Sequence, residues 1–205
     1  GPESVVPLDP SQAGEDLCYA IPAWGLSLRF GPVDFIQVHP EVNLRMIDQA
    51  IELLEPVATD RVLDLYCGMG NFTLPLAKRA GEVTGIEGAR PAIERARQNA
   101  AAAGLTNTRF IEADLGGAGA EGAWTREAFD LALLDPPRTG AAELLPVLAG
   151  VGARRIVYVS CHPGTLARDA GLLVAAHGYR LLAAGVMDMF PQTSHVESMA
   201  LFVKK

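Results

Sequence analysis

The sequence predicts an α/β fold, a layered sandwich of sheet and helices, and three observations carry that expectation. Apolar strand-like runs alternate with segments of helical spacing along most of the chain. The stretch Asp64-Leu65-Tyr66-Cys67-Gly68-Met69-Gly70-Asn71 follows the apolar run Arg61-Val62-Leu63 and turns through two glycines into Phe72-Thr73-Leu74-Pro75-Leu76-Ala77-Lys78, so it reads as strand end, glycine turn and helix start. Three consecutive strands also end in an acid: Asp64, then Glu87 closing Glu82-Val83-Thr84-Gly85-Ile86, then Asp114 closing Thr108-Arg109-Phe110-Ile111-Glu112-Ala113. Packing alone would put apolar residues at those ends of a parallel sheet.

Taken in order, residues 1–14 open on Gly1-Pro2, like a protease-cleavage scar, and are rich in Pro, Gly and acids, so they are expected to be a scar or linker. Residues 15–34 hold two β-prone runs, Cys18-Tyr19-Ala20 and Leu26-Ser27-Leu28-Arg29-Phe30, separated by Pro22 and Gly25: a small hairpin or a remnant of a preceding sheet. Phe35-Ile36-Gln37-Val38-His39-Pro40 leads into a helix over 41–54, whose Val42, Met46, Ile47, Ala50, Ile51 and Leu54 share one face; it is expected to pack beside the first strand. A helix over 91–103 has Pro91 at its start and Gly104 at its end. The fourth strand, 129–135, runs into Pro136-Pro137-Arg138, where the prolines stiffen the backbone beside the sheet edge. A helix over 141–148, a strand over 155–160, the segment Cys161-His162-Pro163-Gly164, a helix over 165–176 stopped by Gly178, and strands at 180–186 and 198–203 joined by a loop complete the chain.

With 205 residues and 49% hydrophobic content the chain can bury one substantial core. No apolar run is long enough to span a bilayer. Three well-separated cysteines, Cys18, Cys67 and Cys161, without a Cys-x-x-Cys pair, read as reduced thiols, Cys18 and Cys67 as small buried hydrophobes. A formal charge of −7 argues against a self-sufficient nucleic-acid binder, because phosphate contacts need clustered Lys and Arg. At the glycine turn the missing Cβ atoms let a ligand lie against the backbone, and an acid closing the next strand sits where a ribose with two free hydroxyls is held, so a nucleotide-like guest is expected.

The pattern Asp64-x-x-x-Gly68-x-Gly70, with Glu87 and Asp114 on the next two strands, resembles the S-adenosylmethionine site of Rossmann-like methyltransferases. A dinucleotide site fits less well, since the third glycine of its fingerprint would fall at Thr73. Taken with Phe35-Ile36-Gln37-Val38, Asn71-Phe72-Thr73, Asp135-Pro136-Pro137-Arg138, Ser160-Cys161-His162-Pro163 and His195-Val196-Glu197-Ser198, the chain is similar to the RNA uridine-5-methyltransferase family. The Phe190-Pro191-x-Thr193-x-His195-x-Glu197-Ser198-Met199 segment looks more like its members acting on 23S ribosomal RNA than those acting on transfer RNA.

The resemblance implies a Rossmann-like methyltransferase sandwich with a seven-stranded, mostly parallel sheet and helices on both faces. Residues 35–205 would be the catalytic domain and 15–34 a short β remnant of a preceding one. It also implies S-adenosyl-L-methionine as cofactor, RNA (23S rRNA above all) reached by the full-length protein, no metal site or membrane contact, a monomer, and the cytoplasm. Relatives of the ribosomal type often carry an RNA-binding β-domain and an iron-sulfur cluster, which would lie upstream of this chain. By position, Gln37, Tyr66, Asn71, Glu87, Asp114 and Asp135 would be cofactor-binding, Cys161 the nucleophile and Glu197 the general base. Two departures stand out: His39 where the family often has Asn, which is left out of the site, and Tyr66 where Phe is common, an aromatic wall. His195 is assigned no role.

The chemistry explains these residue types. Carbon 5 of uracil is too weak a nucleophile to attack a methyl donor until a thiolate adds at carbon 6 and turns the ring into an enolate. The thiol then needs a positive field, for which Arg138 and the following helix start are candidates. After methyl transfer, a base must remove the carbon 5 proton before the thiolate leaves. An RNA cytosine-5 methyltransferase would carry a second cysteine beside the Pro136-Pro137 motif, and an amino-group methyltransferase an aromatic there and no thiol. A transfer RNA uridine-5 enzyme shares every motif but the 190–199 segment, and an inactive cofactor-binding RNA module has no need of both Cys161 and Glu197.

Overall fold

The computed structural model describes residues 5, 6, 8, 9, 11, 17–116 and 122–205; most of the expected 1–14 linker lies outside them. Two strands, β1 (Leu17–Ile21) and β2 (Leu26–Phe30), pair as an antiparallel hairpin whose reversal uses Gly25 at φ 60°. Then follow α1 (Pro40–Leu54), β3 (Arg61–Leu65), α2 (Thr73–Ala77), β4 (Glu82–Glu87), α3 (Arg90–Ala102), β5 (Thr108–Glu112), β6 (Leu131–Leu134), α4 (Leu145–Gly150), β7 (Arg155–Ser160), α5 (Pro163–Ala176), β8 (Tyr179–Met187) and β9 (Glu197–Lys204).

The seven strands β3 to β9 form one sheet in the order β5-β4-β3-β6-β7-β9-β8. Strands β3 to β7 are mutually parallel, and β9 runs antiparallel between β7 and β8. The order reverses between β3 and β6, which opens a crevice at their carboxyl ends, the usual ligand position in such sheets. Strand alternation divides the core in two. Val62, Leu131, Leu133, Val157 and Val159 face α1, α2, α3 and the hairpin, while Leu63, Leu65, Ala132, Leu134, Ile156 and Tyr158 face α4 and α5.

Several elements differ from the sequence reading for physical reasons. The helix α1 packs over β6, β7 and β9, not beside β3, because its apolar face covers the half of the sheet that α2 and α3 leave open. The expected 141–148 helix is a 3-10 turn, Ala142–Leu144, followed by α4, since Pro146 has no N–H and fits only the first turn. Cys18 is exposed, not buried: it falls on the outward face of β1, whereas Cys67 is buried as expected.

The hairpin is moored to α3 by one side chain. Asn99, fully buried, accepts from Arg29 N at 2.9 Å and donates to Arg29 O at 3.1 Å and Met69 O at 3.2 Å. An amide that satisfies a strand on both its backbone groups and also holds the glycine turn has no apolar substitute. Replacing Asn99 by Ala is expected to lower stability by about 2 to 3 kcal/mol, read as a lower urea midpoint at unchanged slope. An unchanged midpoint would mean that the apolar contacts of Ile21, Leu26 and Leu28 hold the hairpin alone.

Candidate active site

The crevice at the strand ends contains two adjoining cavities. The larger, about 610 Å³, is lined by residues 33–37 ahead of α1, the turn 66–72, Glu87 and Asp135. The smaller, about 500 Å³, lies between Asp114–Gly116 and the segment after Pro137. Tyr66, Glu87 and Pro137 border both. Tyr66 adopts φ 62°, a left-handed conformation that costs an aromatic residue roughly 1 to 2 kcal/mol. Its hydroxyl donates to Leu115 O at 3.1 Å, so the ring stands as the wall between the cavities. Burial pushes that phenol up to about 12.

Glu87 is fixed by the backbone around it: Oε2 accepts from Gly68 N at 3.1 Å and Oε1 from Ala89 N at 2.8 Å. The remaining lone pairs of both oxygens are available to a guest. Gly68, at φ 52°, has open space where a Cβ would stand, so the backbone of the turn is itself a surface of the cavity. Asn71 reaches the same cavity but is held from behind. It exchanges two hydrogen bonds with the Asn43 amide, at 2.9 and 3.1 Å, and accepts from the Tyr19 hydroxyl at 2.8 Å. Gln37 lies against Asp135, its amide 3.5 Å from Oδ2, and Asp114 borders the smaller cavity with Oδ1 tied to Gly116 N at 2.8 Å.

Asp64 does not open on the crevice. Alternation turns it into the core, where it is fully buried and Oδ2 accepts from the Thr73 hydroxyl at 2.5 Å. Burial raises its carboxyl to about 7. It stitches β3 to α2 and so shapes the turn.

Cys161 and Glu197 border neither cavity; they lie beside Asp135 of the larger one, one step past the last β7–β9 pair, with Glu197 still paired to Met187 of β8. Ser160 is opposite Ser198, and Ser198 Oγ donates to Ser160 O at 2.8 Å, so continuing the register sets Cys161 across from Glu197. Cys161 is half-buried and Glu197 is 2% exposed. Burial first, and Asp135 second, push Glu197 up to about 8; burial alone raises Asp135 to about 7. Burial, Glu197 and Asp135 also push the Cys161 thiol up, with Arg138 acting in the opposite direction. Of the two sequence candidates for a positive field, Arg138 therefore acts on the thiol, without outweighing burial and the two acids. His195 packs edge-on against Phe190, ring centres 5.7 Å apart, in the loop before Glu197.

Tyr19 and Asn43 were not marked by sequence reasoning. They hold Asn71 from 52 and 28 residues away, and nothing in the local sequence signals a contact at that separation. The 139–144 part of the smaller cavity's wall was also missed, although Gly140 shortly after two prolines was a signal of a shaped loop, and it adopts φ 78°.

Comparison with known proteins agrees with this geometry. The chain is 57% identical over all 205 residues to a protein of Alkalilimnicola ehrlichii named 23S rRNA (uracil(1939)-C(5))-methyltransferase RlmD, covering 46% of it. It is 54% identical over 202 residues to the protein of the same name from Methylococcus capsulatus, covering 98% of this chain and 45% of that one. The chain thus spans about half the length of the curated relatives it matches. The crystal structure of the Pyrococcus abyssi tRNA (uracil-54, C5)-methyltransferase in complex with S-adenosyl-L-homocysteine superposes with a TM-score of 0.77 at 31% identity, over 93% of this chain and 45% of that one. A SAM-dependent methyltransferase from Agrobacterium tumefaciens, 18% identical with a TM-score of 0.69 over 98% of this chain and 73% of its own, shares the fold. The family model of tRNA (Uracil-5-)-methyltransferases matches residues 24–116 and 122–205, and with that match spanning both cavity walls, β7 and β9, the chain belongs to the tRNA (Uracil-5-)-methyltransferase family.

Proposed function

We propose that this chain is the catalytic part of an enzyme that methylates carbon 5 of a uridine in RNA, with 23S ribosomal RNA as substrate and S-adenosyl-L-methionine as methyl donor. The observation that supports the reading is a thiol and a carboxyl each one residue beyond the Ser160–Ser198 pair of β7 and β9, both close enough to Asp135 of the larger cavity to feel its charge. High identity to relatives named for 23S rRNA favours that substrate over the transfer RNA in the name of the less similar Pyrococcus structure.

The residues present fit the donor. Two cavities meeting at Tyr66 and Glu87 suit a guest of two parts joined by a ribose, with Glu87 taking the hydroxyls. Asp114 and the Tyr66 ring would hold the adenine end, and Gln37, Asn71 and Asp135 the amino-acid end. When bound, S-adenosylmethionine supplies an electrophilic methyl group on a cationic sulfur.

Cys161 acts first. After its proton is lost to solvent, its thiolate sulfur bonds to carbon 6 of uracil, the 5,6 double bond shifts its electrons toward the carbonyl at carbon 4, and carbon 5 becomes the nucleophile that takes the methyl group. Glu197 acts last: it removes the proton left on carbon 5, those electrons re-form the double bond, and the Cys161 sulfur leaves with its pair. A carboxyl raised to about 8 is a far stronger base than an exposed glutamate, which suits removal of a weakly acidic proton.

Replacing Glu87 by Ala is expected to weaken S-adenosylhomocysteine binding by about 1 to 3 kcal/mol, measured by calorimetry; unchanged affinity would place the ribose elsewhere. Cys161→Ala is expected to abolish methyl transfer to substrate RNA while leaving cofactor affinity intact. Glu197→Gln, in the full-length protein, is expected to give a denaturant-resistant protein–RNA complex carrying the transferred methyl group. Normal turnover of that variant would remove Glu197 from the base role. Because an acid raised to about 8 is protonated, and so unable to accept, below that pH, release of methylated RNA from the wild-type adduct is expected to accelerate as pH rises through about 8. Quenched single-turnover reactions would show it, and a flat profile would contradict it.

A further inference from the structure

Two segments from outside the glycine turn converge on the Asn71 amide, which borders the larger cavity: the β1–β2 hairpin and the first turn of α1. Tyr19 of β1 stands opposite Leu28 of β2, so its side chain shares the inward face of the hairpin with Leu26 and Leu28. Its ring packs 6.1 Å from that of Phe30, the diagonal neighbour, and its hydroxyl donates to Asn71 Oδ1 at 2.8 Å. Asn43 of α1, only 4% exposed, closes a reciprocal amide pair: its Nδ2 donates to Asn71 Oδ1 at 3.1 Å, and its Oδ1 accepts from Asn71 Nδ2 at 2.9 Å.

Asn71 Oδ1 therefore has both lone pairs filled, while Nδ2 has one of its two hydrogens committed to Asn43. The second hydrogen has no partner among the described residues and is the one left to the cavity. The amide pair alone does not fix this polarity. Turning both amides over together would keep their two mutual hydrogen bonds and would offer the cavity a carbonyl lone pair in place of an N–H. The Tyr19 hydroxyl breaks that symmetry: facing an NH2 group, its hydrogen would be left without an acceptor among the described residues. Burial holds the phenol well above the ordinary tyrosine range, so it stays a donor at any physiological pH.

We infer that Tyr19 is a positioning residue for the methyl donor: by donating to Asn71 Oδ1 it turns the Asn71 amide so that an N–H, and not a carbonyl, meets the cavity, which matches the site to the carboxylate of the guest's amino-acid end. The inference rests on the placing of that end against Gln37, Asn71 and Asp135 proposed above. An amino acid offers two groups of opposite need, a carboxylate that accepts and an ammonium that donates. An N–H suits only the first, and the carboxyl of Asp135, bordering the same cavity, suits the second. The β1–β2 hairpin thereby belongs to the site through one hydroxyl, although it forms a two-stranded sheet of its own.

The test compares two ligands by calorimetry on the chain: S-adenosylhomocysteine, and its decarboxylated analogue, which keeps the ammonium and lacks the carboxylate. The wild type is expected to bind the first more tightly. Tyr19→Phe keeps the ring and its contact with Phe30 but loses the donor; it is expected to weaken S-adenosylhomocysteine about fivefold and to change the analogue by less than about twofold. Asn71→Asp, with acceptors at both positions, is expected to weaken S-adenosylhomocysteine by about tenfold or more and to leave the analogue bound at least as well as by the wild type. On that background Tyr19→Phe should no longer change the ratio of the two affinities, because a carboxylate has no polarity to set. A merely structural role of Tyr19 would weaken both ligands in the same proportion; that result, or an S-adenosylhomocysteine affinity unmoved by Tyr19→Phe, would overturn the inference. Should Tyr19→Phe fail to fold, Asn71→Asp decides, and equal losses of the two ligands overturn the inference. A wild-type chain that binds both ligands equally well overturns it as well, whereas one that binds neither removes the reading of the donor site on which it rests.

Discussion

The insertion of β9 between β7 and β8 is the constraint on which the site depends. From Glu197 to Phe202 every residue of β9 is buried, with Met199 and Leu201 in the core under α1, and Ala200 and Phe202 in the core under α5. A slip of one residue would exchange all of these faces, so the register from Arg155–Val203 to Ser160–Ser198 is held by the burial of both cores. That register puts Cys161 and Glu197 side by side. The placement of the two groups proposed to react is therefore stabilised by the same apolar burial that closes the sheet.

The second feature of the crevice is a concentration of acids in poorly solvated positions. Asp135 and Glu197 lie together beside the thiol; burial raises all three groups, Asp135 adds to the rise of Glu197, and both acids add to that of the thiol. Such groups favour their neutral forms until a positive charge arrives. A cationic guest is thus the natural complement of the crevice, and its binding would draw these groups toward ionisation at the moment when a thiolate is useful. Asp64 follows the same physics in a different place: fully buried in the core, it is bonded to Thr73 and contributes to the turn.

The strand and helix periods of the sequence carried most of the fold, because the central strands β3, β6 and β7, and β9 beside them, alternate between two apolar cores and each long helix has one apolar face. The carboxyl-end acids and the glycine turn carried the position of the crevice, because close approach of a ligand to the backbone leaves a local mark. Motif order carried Cys161 and Glu197 as candidates. The side on which α1 packs, the exposure of Cys18 and the inward turn of Asp64 were not legible, since they depend on which half of the sheet remains uncovered and which face of a strand points inward.

By itself, then, the sequence determined the α/β alternation, the strand ends that bear carboxylates and the residues able to do thiolate and base chemistry, all of which are properties of short windows. Only the tertiary structure decided what those residues meet: Tyr19 and Asn43 behind Asn71, Asp135 beside Glu197, and Asp169 binding β7, α5 and the Arg138 loop into one unit. The hydrogen bonds among them join residues between 11 and 52 positions apart, and the Asp135–Glu197 contact is set by burial against another element. The physical reason is that hydrogen-bond partners and local dielectric are fixed by packing in three dimensions, and a one-dimensional pattern records only the capacity of a side chain to take part.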